Sequence, residues 1–545
     1  MYSKGTYSST MATVRAAAIC VLTVCGVQIV NVFGLSALDD TRQVLEQNKN
    51  SEGMCAPTSF PKIKGPKSKH DRIAIIGAGP SGIHMAYKLK KEGYTNVTVF
   101  ERNRYIGGKS RTLYHRGVPH EMGTVYTQPD YTEIYRLVNE FDAGHLLPMP
   151  SPTVWVNNKK HPIPITSLQN SIRVLMRLRP DITNTTVAAG ILQQAIRKYL
   201  GLHIGMFGTY EGELMPRPCD AILSKINMTF LDFLKVHQIE ALKGMFMSAM
   251  TAQGYGHVDE ISTLYGMMWM TPRFLEEIVK PPLPEVKSVV KILSKGFQFL
   301  WAEISRITNL NVKLSSPVTK VLRLRNGFLV IYRDCGNLRK ERFDFIITSP
   351  TMKFMSNVIK FDPDVRELFR RTFNYYYTTT LADTDYGVNR GKSPQDYYAF
   401  NMNSKENNSV WVHRDSYSSL NYITGENYTN GLFTDGPDGK YIQSSVYYQF
   451  SKRSSPWQTL TQKLKDHILN VERSTKIKII HRIKWSYFPR YSVSDMASGI
   501  LWDIFEKQGA HNMWYIGSSV SFESVKSVVE YNNLLLRQFP CSNGI

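Results

Sequence analysis

Gly77, Gly79 and Gly82, spaced Gly-x-Gly-x-x-Gly with Pro80 and Ser81 among them, and Glu101, 24 residues beyond Gly77, have the types and spacing to hold both ends of an ADP group. Glycine lets the chain turn sharply, approach a pyrophosphate closely and pack a helix on a strand. The phosphates then rest on the positive end of that helix. The carboxylate of Glu101 is placed to accept the ribose hydroxyls. The elements that must position these residues are written around them. Ile73 to Ile76 reads as a buried parallel strand, the chain through Tyr87 as the helix, and Val97 to Phe100 as a second buried strand ending at the acid. A plain glycine turn does not require strand, helix, strand and acid in register.

The residues that follow separate FAD from NAD. Gly107-Gly108-Lys109 and then Gly123-Thr124 add backbone access for a long ligand lying extended across the sheet, which FAD needs and NAD does not. In this order of glycine loop, acid, Gly-Gly and Gly-Thr the chain resembles the flavin amine oxidase superfamily. Trp485-Ser-Tyr-Phe-Pro-Arg-Tyr491 is similar to its Trp-x-x-x-Pro element, and Trp514-Tyr-Ile-Gly517-Ser518-Ser519, before a helix from Ser524 to Phe539, to its closing strand, turn and helix. Gly296 to Trp301, Pro317 to Leu322 and Phe343 to Pro350 match its returning strands, with Val318 meeting the adenine. The resemblance spans most of residues 72 to 539. It implies an α/β fold: a Rossmann-like FAD-binding domain assembled from residues 71–130, 290–355 and 480–540, with an interleaved α+β substrate cap from 131–289 and 361–479.

Two departures matter. The closing turn carries Gly517-Ser518-Ser519 where many relatives have Gly-Glu or Gly-Asp, so hydroxyls and amides replace a carboxylate at the ribityl and phosphate groups. The lysine that many oxidases place beside flavin N5 is displaced: Met355 stands about there and Lys353 comes early. With no cysteine near Tyr491, the FAD is expected to be non-covalent.

In the cap, Tyr131 to Phe141 and Phe230 to Lys235 read as helices and Tyr441 to Phe450 as strand. Gln253-Gly-Tyr-Gly-His257 resembles an element of the subgroup containing polyenoic fatty acid isomerases and β-cyclopiazonate dehydrogenase. Trp485, Tyr491 and Tyr255 are candidate pocket walls, with core packing the competing reading for each. His257 is either a substrate contact or part of a packed turn. Arg111 either anchors a substrate carboxylate or serves a cofactor phosphate or structural ion pair.

A flavin would take hydride from a C–H bond held over N5 in a dry pocket. Three functions follow: an oxidoreductase acting on a hydrophobic amine or unsaturated lipid with oxygen as a possible acceptor, a redox-neutral double-bond isomerase of polyunsaturated fatty acids, and a non-catalytic basic flavin-fold matrix protein.

The 545 residues, 42% hydrophobic and 12% aromatic, suffice for two cores. Lys4 and Arg15 precede an apolar run from Ala16, with small residues at Ser36-Ala37, so residues 1–38 read as a signal peptide or an uncleaved anchor, followed by a basic linker over 39–70. Sequons at Asn96, Asn184, Asn227, Asn407 and Asn427 agree with a secreted or secretory-lumen protein. Cys55, Cys219, Cys335 and Cys541 form either two disulfides or buried thiols, and their spacing gives no metal signal. The formal charge of +21 suits solvated surface, an anionic substrate or an anionic surface or membrane, and nothing resembles a nucleic-acid module.

Overall fold

The computed structural model describes residues 57–116, 118–148, 153–155, 164–210, 214–279, 290–385, 397–399, 406–415, 433–435 and 440–539. The leader, Cys55, Cys541, Gly117 and the Asn427 sequon lie outside these.

A five-stranded parallel sheet forms the nucleotide-binding half, in the order Met513–Tyr515, Phe345–Thr348, Ile73–Ile76, Val97–Phe100, Asn311–Lys313. Its central strand, Ile-Ala-Ile-Ile, is buried along its whole length. Such continuous apolar runs are what a parallel sheet covered on both faces requires. Helix Pro80–Lys91 returns over one face, and the closing helix Val525–Gln538 packs beside it, joined by Asn532 Nδ2 donating to the Ser81 carbonyl at 2.8 Å. The α/β, Rossmann-like reading holds.

Phe297–Ile307 corrects one expectation, being a helix where Gly296 to Trp301 was matched to a returning strand. Buried Phe297, Leu300, Trp301 and Ile304 recur at helical spacing, and Gly296 enters at φ 79°. A side chain at Gly296 would lie 2.5 Å from Thr112.

The cap is a second body of structure around an antiparallel-dominated sheet. Its path runs Ile477–Arg490, Phe373–Thr384, Lys440–Ser451, Val410–Asp415, Tyr397–Ala399, Thr153–Trp155 and Pro164–Thr166. Strands from before and after the nucleotide-binding segments 290–355 thus meet in one sheet. Helices of the first insertion include Thr185–Phe207, whose Asn184 cap accepts from the Thr186 and Val187 amides and whose Gly208 closes it at φ 68°.

Both faces of the cap sheet are covered. The residues facing the nucleotide-binding half include Tyr377, Thr379, Trp485 and Tyr487. Behind, helix Trp457–Asn470 covers a small core of Ala382, Val410, Tyr447, Leu464 and Ile468. A buried polar cluster adjoins it. Glu472 receives His413 Nδ1 at 2.6 Å and the Tyr447 hydroxyl at 2.9 Å, with His467 Nε2 at 3.3 Å. Burial alone would raise the Glu472 pKa, but the two histidines overcome it and hold the carboxyl well below its usual range.

The described part of the basic segment before Arg72 is docked on the nucleotide-binding half: Phe60 packs on Phe505, Ile63 is buried and Trp514 donates to the Lys64 carbonyl at 2.8 Å. Cys219 is disulfide-bonded, whereas Cys335 is a free, exposed thiol in a hairpin turn. That corrects both readings of the four cysteines, since Cys335 is neither paired nor buried.

Candidate functional site

The glycine cradle is built by backbone contacts too close for side chains. Gly77 adopts φ +98°, and a Cβ on Gly82 would lie 1.9 Å from the Gly77 carbonyl oxygen. Gly107 and Gly108 bring a second turn against the first: the Gly107 amide donates to the Ala78 carbonyl at 2.9 Å, and a Cβ on Gly108 would stand 2.9 Å from Gly79 Cα. Gly123 passes so near Lys109 that a Cβ would meet its carbonyl at 1.7 Å. Gly79 differs. A Cβ there meets only Gly108 Cα, at 3.7 Å, so packing alone does not require glycine.

Helix Pro80–Lys91 begins at Gly79 with no side-chain cap, and Pro80 occupies its first turn. Its leading amides are therefore available to an anion. Glu101, buried at the end of its strand, accepts the Ala78 amide at 2.9 Å and the Asn103 amide and side chain at 2.8 Å each. This fixes the carboxylate beside the turn. The Ser316 amide donates to the Glu101 carbonyl at 2.7 Å, carrying half-buried Val318 to the same end of the sheet.

Toward the cap, Ser110 and Thr124 share a 2.9 Å hydroxyl contact, and Lys109 is committed to Glu523 at 2.6 Å. Glu523 also receives the Phe488 amide at 2.9 Å, tying the closing turn to the cap strand. Gly517 takes φ +86°, where a Cβ would lie 2.5 Å from the Ser349 carbonyl. Next to it Ser518 is half-buried, and Ser519 Oγ accepts the Met352 amide at 3.2 Å. Met355 is buried, while Lys353 points to the Thr372 carbonyl at 2.8 Å.

On the cap side, Tyr255, Tyr377 and Tyr487 form a stack, with Tyr487 5.9 Å from Tyr255 and 5.3 Å from Tyr377, centroid to centroid. Their hydroxyls bond to the carbonyls of Glu523, Ala252 and Gln253 at 2.9, 3.0 and 3.0 Å. Trp485 donates to the Met122 carbonyl at 2.8 Å, so it lies against the Gly123-Thr124 turn. Tyr491 is buried, its amide donating to the Tyr265 hydroxyl at 3.0 Å. His257 is buried against Trp411, 5.1 Å between centroids. Trp485 and Tyr255 therefore converge on the seam between the two halves.

Arg111 lies elsewhere along that seam. It stacks 4.0 Å over Tyr105 and donates to Gln298 at 2.7 Å, and Gln298 is itself bound to Ile106 and Thr112. Two further groups were not singled out from sequence. Glu121 is buried, and burial pushes its carboxyl up to about 8 although the Phe297 amide, Arg414 and Thr112 oppose the rise. The Phe297 bond, at 2.6 Å, makes Glu121 the partner of a helix start. Arg490 lies 7% exposed beneath aromatic rings, and burial lowers its pKa. Its position directly after Pro489, in a strand otherwise rich in aromatics, was the available signal.

A parallel sheet with a backbone-lined glycine turn, a buried carboxylate beside it and an antiparallel cap is the architecture of an FAD-binding enzyme. The model for flavin containing amine oxidoreductases matches residues 80–382, and the chain belongs to that family. It is 22% identical over 502 residues to a polyenoic fatty acid isomerase of Ptilota filicina, covering 86% of this chain and 95% of that one. A CLA-producing fatty acid isomerase from P. acnes superposes with a TM-score of 0.66 at 19% identity, over 87% of this chain and all of the other. Cyclohexylamine oxidase from Brevibacterium oxydans superposes with 0.57 at 14% identity, over 86% and 99%. The cofactor is FAD.

Proposed function

We propose that the enzyme removes hydride from an activated C–H bond of an unsaturated lipid, with isomerisation of the double bond as the net reaction. The observation carrying this reading is the tyrosine stack. Because each hydroxyl is consumed by a main-chain carbonyl, the rings offer flat apolar surface and little free hydrogen bonding. Such a wall suits an extended, π-rich chain. FAD supplies a two-electron hydride acceptor at N5.

The chain's own residues do the remainder. Tyr255 and Tyr487 exclude water and restrain the ligand, Trp485 fixes the cap strand against the Gly123-Thr124 turn, and the Lys109–Glu523 pair clamps the closing turn. Two observations support return of the hydride to the same substrate. The likeness to the Ptilota isomerase extends over nearly its whole length, and Lys353 is tethered to Thr372. The test is anaerobic incubation of the flavin-loaded protein with linoleate. Conjugated-diene absorbance without lasting flavin bleaching is the expected result. A stoichiometric bleach reversed by oxygen, with peroxide formed, points to the second reading, an oxidase of a hydrophobic amine or lipid, which the family membership favours.

We also propose passage through the secretory route, on the apolar leader, the disulfide at Cys219 and the exposed asparagines of four sequons, Asn96, Asn184, Asn227 and Asn407. Glycosidase treatment of protein from a eukaryotic host should increase its gel mobility.

A further inference from the structure

Buried arginines normally pair with carboxylates, since an unpaired buried charge is costly. Arg490 does not. Its Nε and Nη1 have no hydrogen-bond partner, and no described carboxylate forms an ion pair with it. The guanidinium carbon lies over Tyr375, 3.3 Å from the ring centroid, with Phe373 at 4.6 Å and Phe488 at 5.9 Å. Stacking satisfies its faces and leaves Nε and Nη1 without an acceptor.

The nearest acid in the network is already engaged. Glu260 takes Lys452 at 2.6 Å on one oxygen and the Tyr375 hydroxyl at 3.3 Å on the other. Lys452, Glu260 and Arg490 therefore leave one positive charge uncompensated, and Arg490 is its buried member. Gly256 closes over this point at φ +97°, where a Cβ would come within 3.0 Å of Nη1 and 2.7 Å of Tyr375. The turn that follows Tyr255 is thus shaped to the guanidinium.

We infer that Arg490 receives the carboxylate of the substrate, whose hydrocarbon chain then runs past Tyr255 along the stacked tyrosines. Nε and Nη1 can each donate a charge-assisted hydrogen bond to such a carboxylate. FAD phosphate belongs at the other end of the seam, on the Gly77–Gly82 turn. Arg111 is a poorer receptor because Gln298 already accepts from it. This inference rests on the lipid reading of the enzyme and narrows it to free acids over esters or alcohols.

Laurate and 1-dodecanol, which share a chain and have no double bond to react, test the anchor independently of turnover. Binding to the flavin-loaded full chain would be followed by tryptophan fluorescence and flavin absorbance. Wild type is expected to favour laurate at least ten-fold, and Arg490→Met to lose that preference while its dodecanol affinity stays within two-fold. Preference surviving in Arg490→Met overturns the inference, and so does a wild type that binds both equally, a result needing no variant to fold. Laurate preference without conversion of linoleate rejects the proposed reaction and keeps the anchor. Conversion of linoleate without laurate preference does the reverse.

Discussion

The two sides of the seam are built by different means. On the nucleotide side the main chain does the work: turns approach until a methyl group would collide with a carbonyl at 1.9 Å at Gly82 or 1.7 Å at Gly123. On the cap side the seam is formed by side chains, stacked tyrosines and a buried guanidinium among them. A backbone site leaves a fixed spelling in the sequence. A side-chain wall leaves only a composition.

The sharpest way to break this contrast is within the glycines. Gly82→Ala should destroy flavin binding and the first helix–strand packing together, giving little soluble protein. Gly79→Ala should fold with an unchanged far-UV spectrum and Tm yet purify colourless, because its Cβ has room in the protein and none beside a pyrophosphate. Equal flavin content in Gly79→Ala and wild type would remove Gly79 from the cofactor site.

Next in size is the back of the cap sheet. Glu472→Gln leaves His413 and His467 without their buried carboxylate and should cost about 3–5 kcal/mol at neutral pH. Glu472 is depressed below its unfolded pKa, so its stabilisation is full above the unfolded value and lost as pH falls through the folded one. Urea titrations should show the two proteins converging in acid. A constant difference across pH would mean that the carboxylate is not the stabilising form.

A smaller change is expected from Tyr255→Phe, which removes the bond to Glu523 but keeps the ring. A loss of about 1 kcal/mol by thermal unfolding, with the flavin retained, is expected. Full loss of flavin would make the hydroxyl, and not the ring, the contribution of this wall. Smallest of all is Lys353→Met. Reoxidation of the reduced flavin by oxygen should be unchanged in stopped flow, and a large slowing would restore Lys353 to the flavin's neighbourhood.

These differences explain what could be read in the sequence. Gly77 to Glu101 specified strand, helix, strand and acid because each residue there answers to one local constraint. Phe297 to Trp301 misled, since a short apolar run fits a buried strand or a buried helix equally, and the Gly296 turn that decides it is conformational. Arg490 went unnoticed because its significance lies in an absent partner, which only the packed surroundings of Phe373, Tyr375 and Gly256 reveal. Cys335 could not be assigned without knowing which turn carries it.

Strand Ile477–Arg490 sends Trp485 and Tyr487 to the flavin side while Arg482 and Lys484 stack on Trp457 behind the sheet. Its pairing with Phe373–Thr384 is interrupted by irregularities between Phe373 and Tyr375 and between Leu381 and Ala382. Side chains alternate with a period of two, so inserting or deleting one residue near Ile483 would exchange the two faces. Lys484 and Ser486 would then face the nucleotide-binding half, and the indole and phenol would turn toward helix Trp457–Asn470. The face turned to the nucleotide-binding half can therefore change by substitution along the strand but not by single-residue changes in its length.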